Sequence, residues 1–307
     1  MTDSARTGSA WSGDELDLDA YLARIGYEGE RAPTAATLRE LHARHAATFA
    51  FENLEIVLGR PVLLDLKSLQ EKMVGRRRGG YCYEQNLLYA AALDRLGFQV
   101  TGLGARIRMG EATKIRPVTH ALLKVRLDGE GWITDVGFGG EALLAPVPLR
   151  DGVEVRQGGW TFGLVREGAP AREEGRAGGP AGADNTSGGT PDGTWVLRSR
   201  HEDGWFDLYA FGPEARHPAD YGVFNYYIST HPRSPFTGRT VVQQPGPDLR
   251  RTLIGTELTL TRPDWSREVR QVPAEEIPAV LEADFGLVLD ERDAADLVAL
   301  HREEPVA

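Results

Sequence analysis

Apolar residues in the first third of the chain recur at helical spacing. A pattern of this kind begins at residues 16–25 and returns after the cap-like segment 34–37. A third stripe consists of Leu87, Leu88, Ala91, Ala92 and Leu96, and it stops at Gly97, the residue type that commonly ends a helix. The pattern therefore predicts an α-helical N-terminal third.

From residue 98 the apolar period shortens to two, which is typical of strands. Short β-type runs occupy residues 100–107, 120–127, 132–136, 160–165, 195–200 and 205–209. The sequence Asp128-Gly-Glu-Gly131 predicts a hairpin turn between the second and third runs, with Leu127 opposite Trp132. Residues 252–261 are strand-like and residues 274–301 are rich in helical pattern. The chain is therefore expected to belong to the α+β class.

Two segments lack the apolar side chains that a packed structure needs. Residues 1–13 are rich in Ser, Gly and Thr, and residues 167–194 carry Gly, Ala, Pro and small polar residues. Such compositions do not offset the entropy lost on ordering. We expect a disordered N-terminus and a flexible insertion between two strands.

Charge and cysteine content narrow the classes of function. The 307 residues include 35 Lys and Arg against 45 Asp and Glu, a net charge of −10, which disfavours nucleic-acid binding. No signal peptide or apolar run of membrane-spanning length is visible, so neither export nor a membrane partner is expected. One cysteine excludes an intrachain disulfide and agrees with a reducing cytoplasm.

That single cysteine, Cys82, lies between Gly79-Gly80 and the third helical stripe. Unpaired N–H groups and the positive end of the dipole at a helix N-terminus favour a reactive thiolate. The alternative is a buried structural thiol, because free cysteine is among the most buried residue types. The residues around Cys82 leave both interpretations open.

A nucleophilic thiol needs a base, and the base needs a third group to orient it. His120 at the start of a strand and Asp135 inside an apolar run are candidates, and the glycines at 137, 139 and 140 could expose N–H groups to a ligand. The predicted hairpin argues against a triad. It pairs Lys124 with Asp135, so His120 lies four residues along the strand from the partner of Asp135, a distance of about 13 Å. A triad would need a bulge, strong coiling or another register. His42 and His45 share a helix face without a third ligand nearby, so no metal is inferred.

Several motifs in this order resemble the arylamine N-acetyltransferase family. They are Arg78-Gly-Gly-Tyr-Cys82-Tyr-Glu-Gln-Asn86, Thr119-His120 and Asp135-Val-Gly-Phe-Gly139. Phe51-Glu-Asn-Leu54 and the segment from Asn225 to Phe236 add to the resemblance, which spans about residues 15 to 265. The chain departs from the family pattern at Ala50, where proline is frequent, and in the insertion.

The resemblance implies a multi-domain fold with a cysteine-protease-like core. A helical bundle would occupy residues 14–97, a central β-barrel residues 98–212 and a C-terminal α/β lid residues 213–307. Cys82 would accept the acetyl group, His120 would be its base and Asp135 would orient the histidine. The implied reaction is ping-pong transfer from acetyl-CoA to an arylamine, arylhydrazine or arylhydroxylamine.

The same resemblance implies the roles of surrounding residues. Phe51, Phe138 and Phe211 would line the acceptor pocket, and Gly139 would approach the coenzyme. Glu52 and Arg78 would form an ion pair that braces the cysteine loop.

Other functions share part of this pattern. An amide synthase of the same family would act on a carrier-bound acyl chain without acetyl-CoA. The order Cys, His, Asp also permits a thiol hydrolase or a transglutaminase-like enzyme. A binding module could keep the fold without the chemistry. The sequence makes no prediction of the oligomeric state.

Overall fold

The computed structural model describes residues 10–111, 113–167 and 193–303. The N-terminal third is helical, as predicted. Its α-helices are α1 (Leu18–Arg24), α2 (Ala35–Thr48), α3 (Leu54–Val57), α4 (Leu66–Leu69) and α5 (Cys82–Arg95), and a π-type helical segment spans Gln70–Gly75.

Local sequence explains where the two long helices begin and end. The Thr34 hydroxyl accepts a hydrogen bond from the Thr37 N–H and caps α2. Gly97, which follows α5, has the left-handed φ of 86° that glycine tolerates best. Helix α5 is buried along almost its whole length because it packs against the strands at Gln99–Ile107 and His120–Leu127.

The described residues form two sheets, and the larger of them is antiparallel with eight strands. Its strands are β2 (Gln99–Ile107), β3 (His120–Leu127), β4 (Glu130–Thr134), β5 (Val147–Pro148), β6 (Val153–Gln157), β7 (Trp160–Arg166), β8 (Trp195–His201) and β9 (Gly204–Phe211). The spatial order is β5-β4-β3-β2-β9-β8-β7-β6, so the two edge strands are consecutive in the chain. The sheet curls into an almost closed barrel that surrounds its own apolar core.

The predicted hairpin register is wrong. The turn between β3 and β4 contains two residues rather than four, since Leu127 pairs with Glu130 and Val125 with Trp132. Asp128 and Gly129 both have positive φ, 50° and 84°, as a tight Asp-Gly hairpin turn requires. Compared with the expected register, the observed one brings Asp135 two residues closer to His120 along the strand.

In the part of the chain that the structure describes, the smaller sheet has five strands in the order β1-β10-β11-β12-β13. Its members are β1 (Phe51–Glu52), β10 (Val241–Gln244), β11 (Arg250–Ile254), β12 (Glu257–Thr261) and β13 (Arg267–Gln271). The single run expected at 252–261 is thus two strands, joined by a turn at Gly255. Strand β1 comes from the helical third, so this sheet joins the two ends of the chain.

The described C-terminal residues form three α-helices, α6 (Pro218–Thr230), α7 (Ile277–Phe285) and α8 (Glu291–Glu303), and a short 3-10 helix at Ala274–Glu276. Helices α7 and α8 cover one side of the five-stranded sheet and share a core with Val242 and Leu253. These elements agree with the α+β class expected from the sequence.

The two segments expected to lack structure fall largely outside the described residues. This applies to residues 1–9 of the N-terminal segment and to residues 168–192 of the insertion. Trp11 of the N-terminal segment is buried, and its indole N–H donates to the Val100 carbonyl at 3.3 Å. Among the residues that the structure describes, no helix has the length and apolarity to cross a membrane.

Candidate active site

Cys82 is the first residue of α5, and its side chain is 4% exposed. The glycine pair before it lets the chain pass close to the strand segment at 50–52. A Cβ atom on Gly79 would lie 2.0 Å from the Ala50 carbonyl oxygen, and Gly80 forms a bridge with Phe51. The glycines therefore hold Cys82 at the helix start, where N–H groups lack intrahelical partners.

His120 and Asp135 meet despite the register expected from the sequence. Extending the observed pairing by one residue places Asp135 opposite Leu122, two residues from His120 on the same face. Such diagonal positions are within reach of longer side chains. His120 Nε2 lies 2.6 Å from Asp135 Oδ2.

The Asp135 carboxylate is fully buried and accepts from three donors. Its Oδ1 atom accepts from Asn86 Nδ2 at 3.1 Å and from the Gly137 N–H at 3.0 Å, while Oδ2 faces His120. An ionised carboxylate can only accept, so His120 Nε2 donates and Nδ1 is left for Cys82. The sequence contains Asn86 in the cysteine motif, but no local signal points to its contact with Asp135.

Electrostatics favour a protonated His120. Burial alone would lower the pKa of His120, but the Asp135 carboxylate and contact with Cys82 outweigh burial and raise that pKa from 6.5 to about 10. Burial likewise opposes ionisation of Asp135, yet the charge of His120 and the three hydrogen bonds keep its pKa below the ordinary value. The pair can thus hold an imidazolium beside the Cys82 sulfur.

Aromatic rings enclose the imidazole of His120. Phe138 meets it edge-on with ring centroids 5.2 Å apart, and Tyr209 lies at 5.1 Å. Burial and the nearby Asp135 charge raise the pKa of Tyr209, so its hydroxyl stays protonated. Tyr209 on β9 was not singled out from the sequence, because only the barrel brings β9 to this site.

A cavity of about 710 Å³ opens above Cys82 and His120. Of the residues expected at the acceptor pocket, Phe51 and Phe138 line it, whereas Phe211 is not among the lining residues and packs in the barrel core behind Tyr209. Further lining residues from the C-terminal part of the chain include Tyr227, Phe236, Val241, Gln243, Thr252 and Trp265. The cavity thus joins surfaces from all three parts of the chain.

Gly139 and Gly140 follow Phe138 at the cavity wall. Gly139 has φ of 94°, and a Cβ atom there would lie 2.1 Å from Gln243 Oε1. The same oxygen accepts the Gly140 N–H at 3.1 Å. Gln243 on β10 therefore ties the glycine turn to the five-stranded sheet, and Gly140 rather than Gly139 is among the lining residues.

The motif Phe51-Glu-Asn joins three parts of the site. Phe51 faces the cavity, and Glu52 accepts from Arg78 Nη2 at 3.0 Å. The Asn53 side chain donates to the carbonyls of Phe236 and Arg239, each at 2.8 Å. The expected pairing of Glu52 with Arg78 is present in this form.

His42 and His45 are interior residues of α2. His42 contacts the Thr134 hydroxyl at 2.7 Å and the Leu143 carbonyl at 2.9 Å, and His45 contacts the Tyr21 hydroxyl at 2.8 Å. No group of three or more His, Cys, Asp and Glu in the described part of the chain is arranged to hold a metal ion.

Comparisons with known proteins cover almost the whole chain. The sequence model of a family described as N-acetyltransferase matches residues 34–179 and 184–294. The arylamine N-acetyltransferase of Escherichia coli K12 is 34% identical over 283 residues, which covers 89% of this chain and 90% of the relative.

Solved structures are similar in fold over the same extent. The arylamine N-acetyltransferase from Mycobacterium abscessus superposes with a TM-score of 0.84 at 39% identity and covers 96% of this chain and 98% of its own. The Mycobacterium marinum arylamine N-acetyltransferase in complex with CoA gives a TM-score of 0.79 at 31% identity, with coverage of 93% and 98%.

Proposed function

Because the chain belongs to the arylamine N-acetyltransferase family, we propose that Cys82 carries an acetyl group from acetyl-CoA to an aromatic amine, with His120 and Asp135 as its partners. The family assigns the acyltransferase activity and acetyl-CoA as co-substrate. The roles of the three residues are our assignment.

The observation that carries this assignment is the contact of 2.6 Å between His120 Nε2 and Asp135 Oδ2 at the cavity that Cys82 also lines. A buried carboxylate that fixes an imidazole beside a thiol is the arrangement that nucleophilic acyl transfer needs. It supports acyl chemistry at Cys82 over a purely structural thiol.

In the first half-reaction, His120 Nδ1 holds the proton that the Cys82 thiol has lost, and the Cys82 sulfur attacks the acetyl carbonyl carbon. The bond between that carbon and the coenzyme sulfur breaks, and the His120 imidazolium returns the proton to the departing thiolate. The products are a Cys82 thioester and free CoA. Helix N–H groups near Cys82 supply positive potential for the oxyanion that develops.

In the second half-reaction, the amine nitrogen attacks the thioester carbonyl. His120 takes the proton that the amine loses, and the bond from carbon to the Cys82 sulfur breaks. The acetamide leaves and the sulfur regains its proton from His120. Asp135 keeps the imidazole in the tautomer that both steps require.

The cavity walls fit a flat aromatic acceptor. Phe51 and Phe138 present rings near the reacting atoms, and aromatic pairs favour edge-to-face or offset stacking. We assign these two rings to the acceptor amine or hydrazine. We assign Phe211 a supporting role, because its ring lies 6.1 Å from that of Tyr209, which in turn contacts His120. Gly139 and Gly140 form the wall that we assign to the coenzyme.

Intact mass spectrometry tests the assignment directly. Incubation with acetyl-CoA should add one acetyl group, sensitive to hydroxylamine, and Cys82→Ala should remain unlabelled while it keeps its circular dichroism spectrum. Because the chain has a single cysteine, a thioester can form at no other residue. Wild type without an adduct would contradict the proposal.

The same experiment separates the other functions. An amide synthase would be labelled by a carrier-bound acyl chain and not by acetyl-CoA. A thiol hydrolase would release acetate at full rate without an amine acceptor. A binding module would give no adduct with either donor.

A further inference from the structure

Four charged side chains are buried beneath the start of α5. They are Glu52, Lys72, Arg78 and Glu84, and Lys72 is only 6% exposed. Lys72 Nζ lies 2.7 Å from Glu84 Oε1 and 3.3 Å from Glu52 Oε1. Glu52 Oε1 also accepts from Arg78. Buried lysine is rare unless it is paired, and Lys72 is the cation shared by two carboxylates.

Glu84 links this cluster to the residue before Cys82. Its Oε1 atom accepts a hydrogen bond from Lys72 Nζ, and its Oε2 atom accepts one from the Tyr81 N–H at 3.0 Å. Tyr81 is the N-cap of α5 and Cys82 is the first helical residue. A carboxylate at this position both satisfies an orphan N–H group and complements the helix dipole. The position of Cys82 therefore depends on where Glu84 is held.

Lys72 is itself fixed to the cysteine loop through its backbone. It lies in the π-type segment Gln70–Gly75, where the Arg76 N–H donates to the Glu71 carbonyl five residues back. The Lys72 carbonyl accepts the Arg78 N–H at 3.2 Å. π-type turns frequently occur at functional sites, because the extra residue redirects a side chain. The backbone of Lys72 thus contacts the segment that leads into Cys82, and its side chain contacts Glu84, two residues after Cys82.

Removing the ammonium group would take away the cation that pairs with Glu84, whereas Glu52 would keep Arg78. Burial raises the pKa of Glu84, and the Lys72 charge opposes this. Without Lys72, the buried Glu84 carboxylate must take up a proton or turn away, and either change disturbs the acceptor of the Tyr81 N–H.

We propose that Lys72 is a positioning residue for Cys82, which it holds in its reactive orientation beside His120 by fixing Glu84 as the acceptor of the Tyr81 N–H. The inference rests on the role proposed for Cys82. It adds a residue that lies outside the sequence motifs of the site and is not among the residues lining the cavity.

Two rates test the proposal: acetylation of Cys82 by acetyl-CoA, and alkylation of Cys82 by iodoacetamide across the pH range. Alkylation needs no acetyl transfer, so it tests Lys72 even if the proposed function fails. In Lys72→Met, both rates should fall about tenfold or more, because small displacements of reacting groups are costly. Lys67→Met, at an exposed lysine five residues earlier, is the matched control and should react like wild type.

A second pair of variants separates positioning from stability. Glu84→Gln keeps an acceptor for the Tyr81 N–H and needs no cation, so Lys72→Met with Glu84→Gln should react within about threefold of Glu84→Gln alone. A purely structural lysine would instead lower the melting temperature and leave both rates and the alkylation pH profile unchanged. That result would overturn the proposal.

If Lys72→Met does not fold, Lys72→Arg replaces it as the test variant. The guanidinium keeps the charge, but its planar fork cannot occupy the position of the ammonium group. We expect alkylation to slow by about threefold or more, with a displaced pH profile. A folded Lys72→Arg variant that reacts like wild type would contradict positioning by Lys72.

Discussion

Asp135→Asn is the substitution that most directly tests the candidate triad. The side chain keeps its size, but one oxygen becomes an NH₂ group. Asn86 Nδ2 and the Gly137 N–H both donate to Oδ1, at 3.1 and 3.0 Å, so the one oxygen left in the variant side chain is required there. The NH₂ group must then face His120 Nε2, where two donors would meet. His120 is expected to move its proton to Nδ1, the atom that should receive the Cys82 proton.

The size of the effect follows from the pKa of His120. Asp135 is the main reason that this pKa lies near 10 rather than 6.5, and the difference corresponds to on the order of 5 kcal/mol in favour of the imidazolium. With the charge lost and the wrong tautomer in place, acetylation of Cys82 should slow by about 10³- to 10⁴-fold. The free energy of binding to acetyl-CoA should change far less, since Asp135 is buried behind His120.

Rapid quenching followed by intact mass spectrometry gives the acetylation rate at neutral pH. Asp128→Asn is a matched control on the same hairpin, because Asp128 is exposed and its positive φ of 50° suits asparagine. Circular dichroism must show that both variants are folded. A folded Asp135→Asn variant that acetylates within about tenfold of wild type would refute the role of Asp135 in orienting His120.

Three further predictions concern stability and the acceptor. The pKa of His120 in the folded protein lies above its ordinary value of 6.5. The stabilisation from His120 should therefore be complete below pH 6.5 and be lost as the pH rises through about 10. Urea unfolding at several pH values should show this loss in wild type and a flatter profile in Asp135→Asn. Phe138→Leu keeps apolar volume but removes the ring, so KM for an aromatic amine should rise about three- to tenfold, with Cys82 acetylation changed less; an equal effect on both steps would argue against acceptor stacking. Gly139→Ala should lower the free energy of unfolding by more than Gly129→Ala, because both glycines have positive φ but only Gly139 faces Gln243. Equal losses of about 1–2 kcal/mol in the two variants would show that the clash with Gln243 does not contribute.

The elements that could be predicted from the sequence are those with strong periodicity. The strand at 120–127 and the helix that begins beside Cys82 were both placed correctly. Strands β1 and β5 have only two residues each, too few for any period to appear. Their positions depend on neighbouring strands rather than on their own residues.

The hairpin between β3 and β4 shows how a small local error has a large consequence. The expected turn of four residues placed His120 four residues from the partner of Asp135. The observed turn of two residues halves that distance, because Glu130 and Gly131 belong to β4 rather than to the turn, which shifts the pairing by two residues. The positive φ angles of Asp128 and Gly129 fit the tight turn, and the Asp-Gly pair was a signal for it.

The buried contacts around the site were beyond prediction from the sequence. Lys72 was not distinguished from surface lysines, and of the basic cluster at 76–78 only Arg78 is buried. Nothing local marks Tyr209 or Gln243, which reach the site from β9 and β10. Their sequence separations from Cys82 exceed 100 residues, so only the closed arrangement of the two sheets brings them near.

The sequence by itself determined the strongly periodic helices and strands, the cysteine at a helix start, and the motifs that identify the family. Each of these depends on residues close together in the chain, whose backbone preferences and spacing can be read directly. Only the tertiary structure decided that His120 meets Asp135, that Asn86 and Gly137 hold the carboxylate, and that Lys72 is buried between Glu52 and Glu84. Those contacts depend on strand register, sheet curvature and burial, which are set by packing across the whole molecule rather than by local pattern.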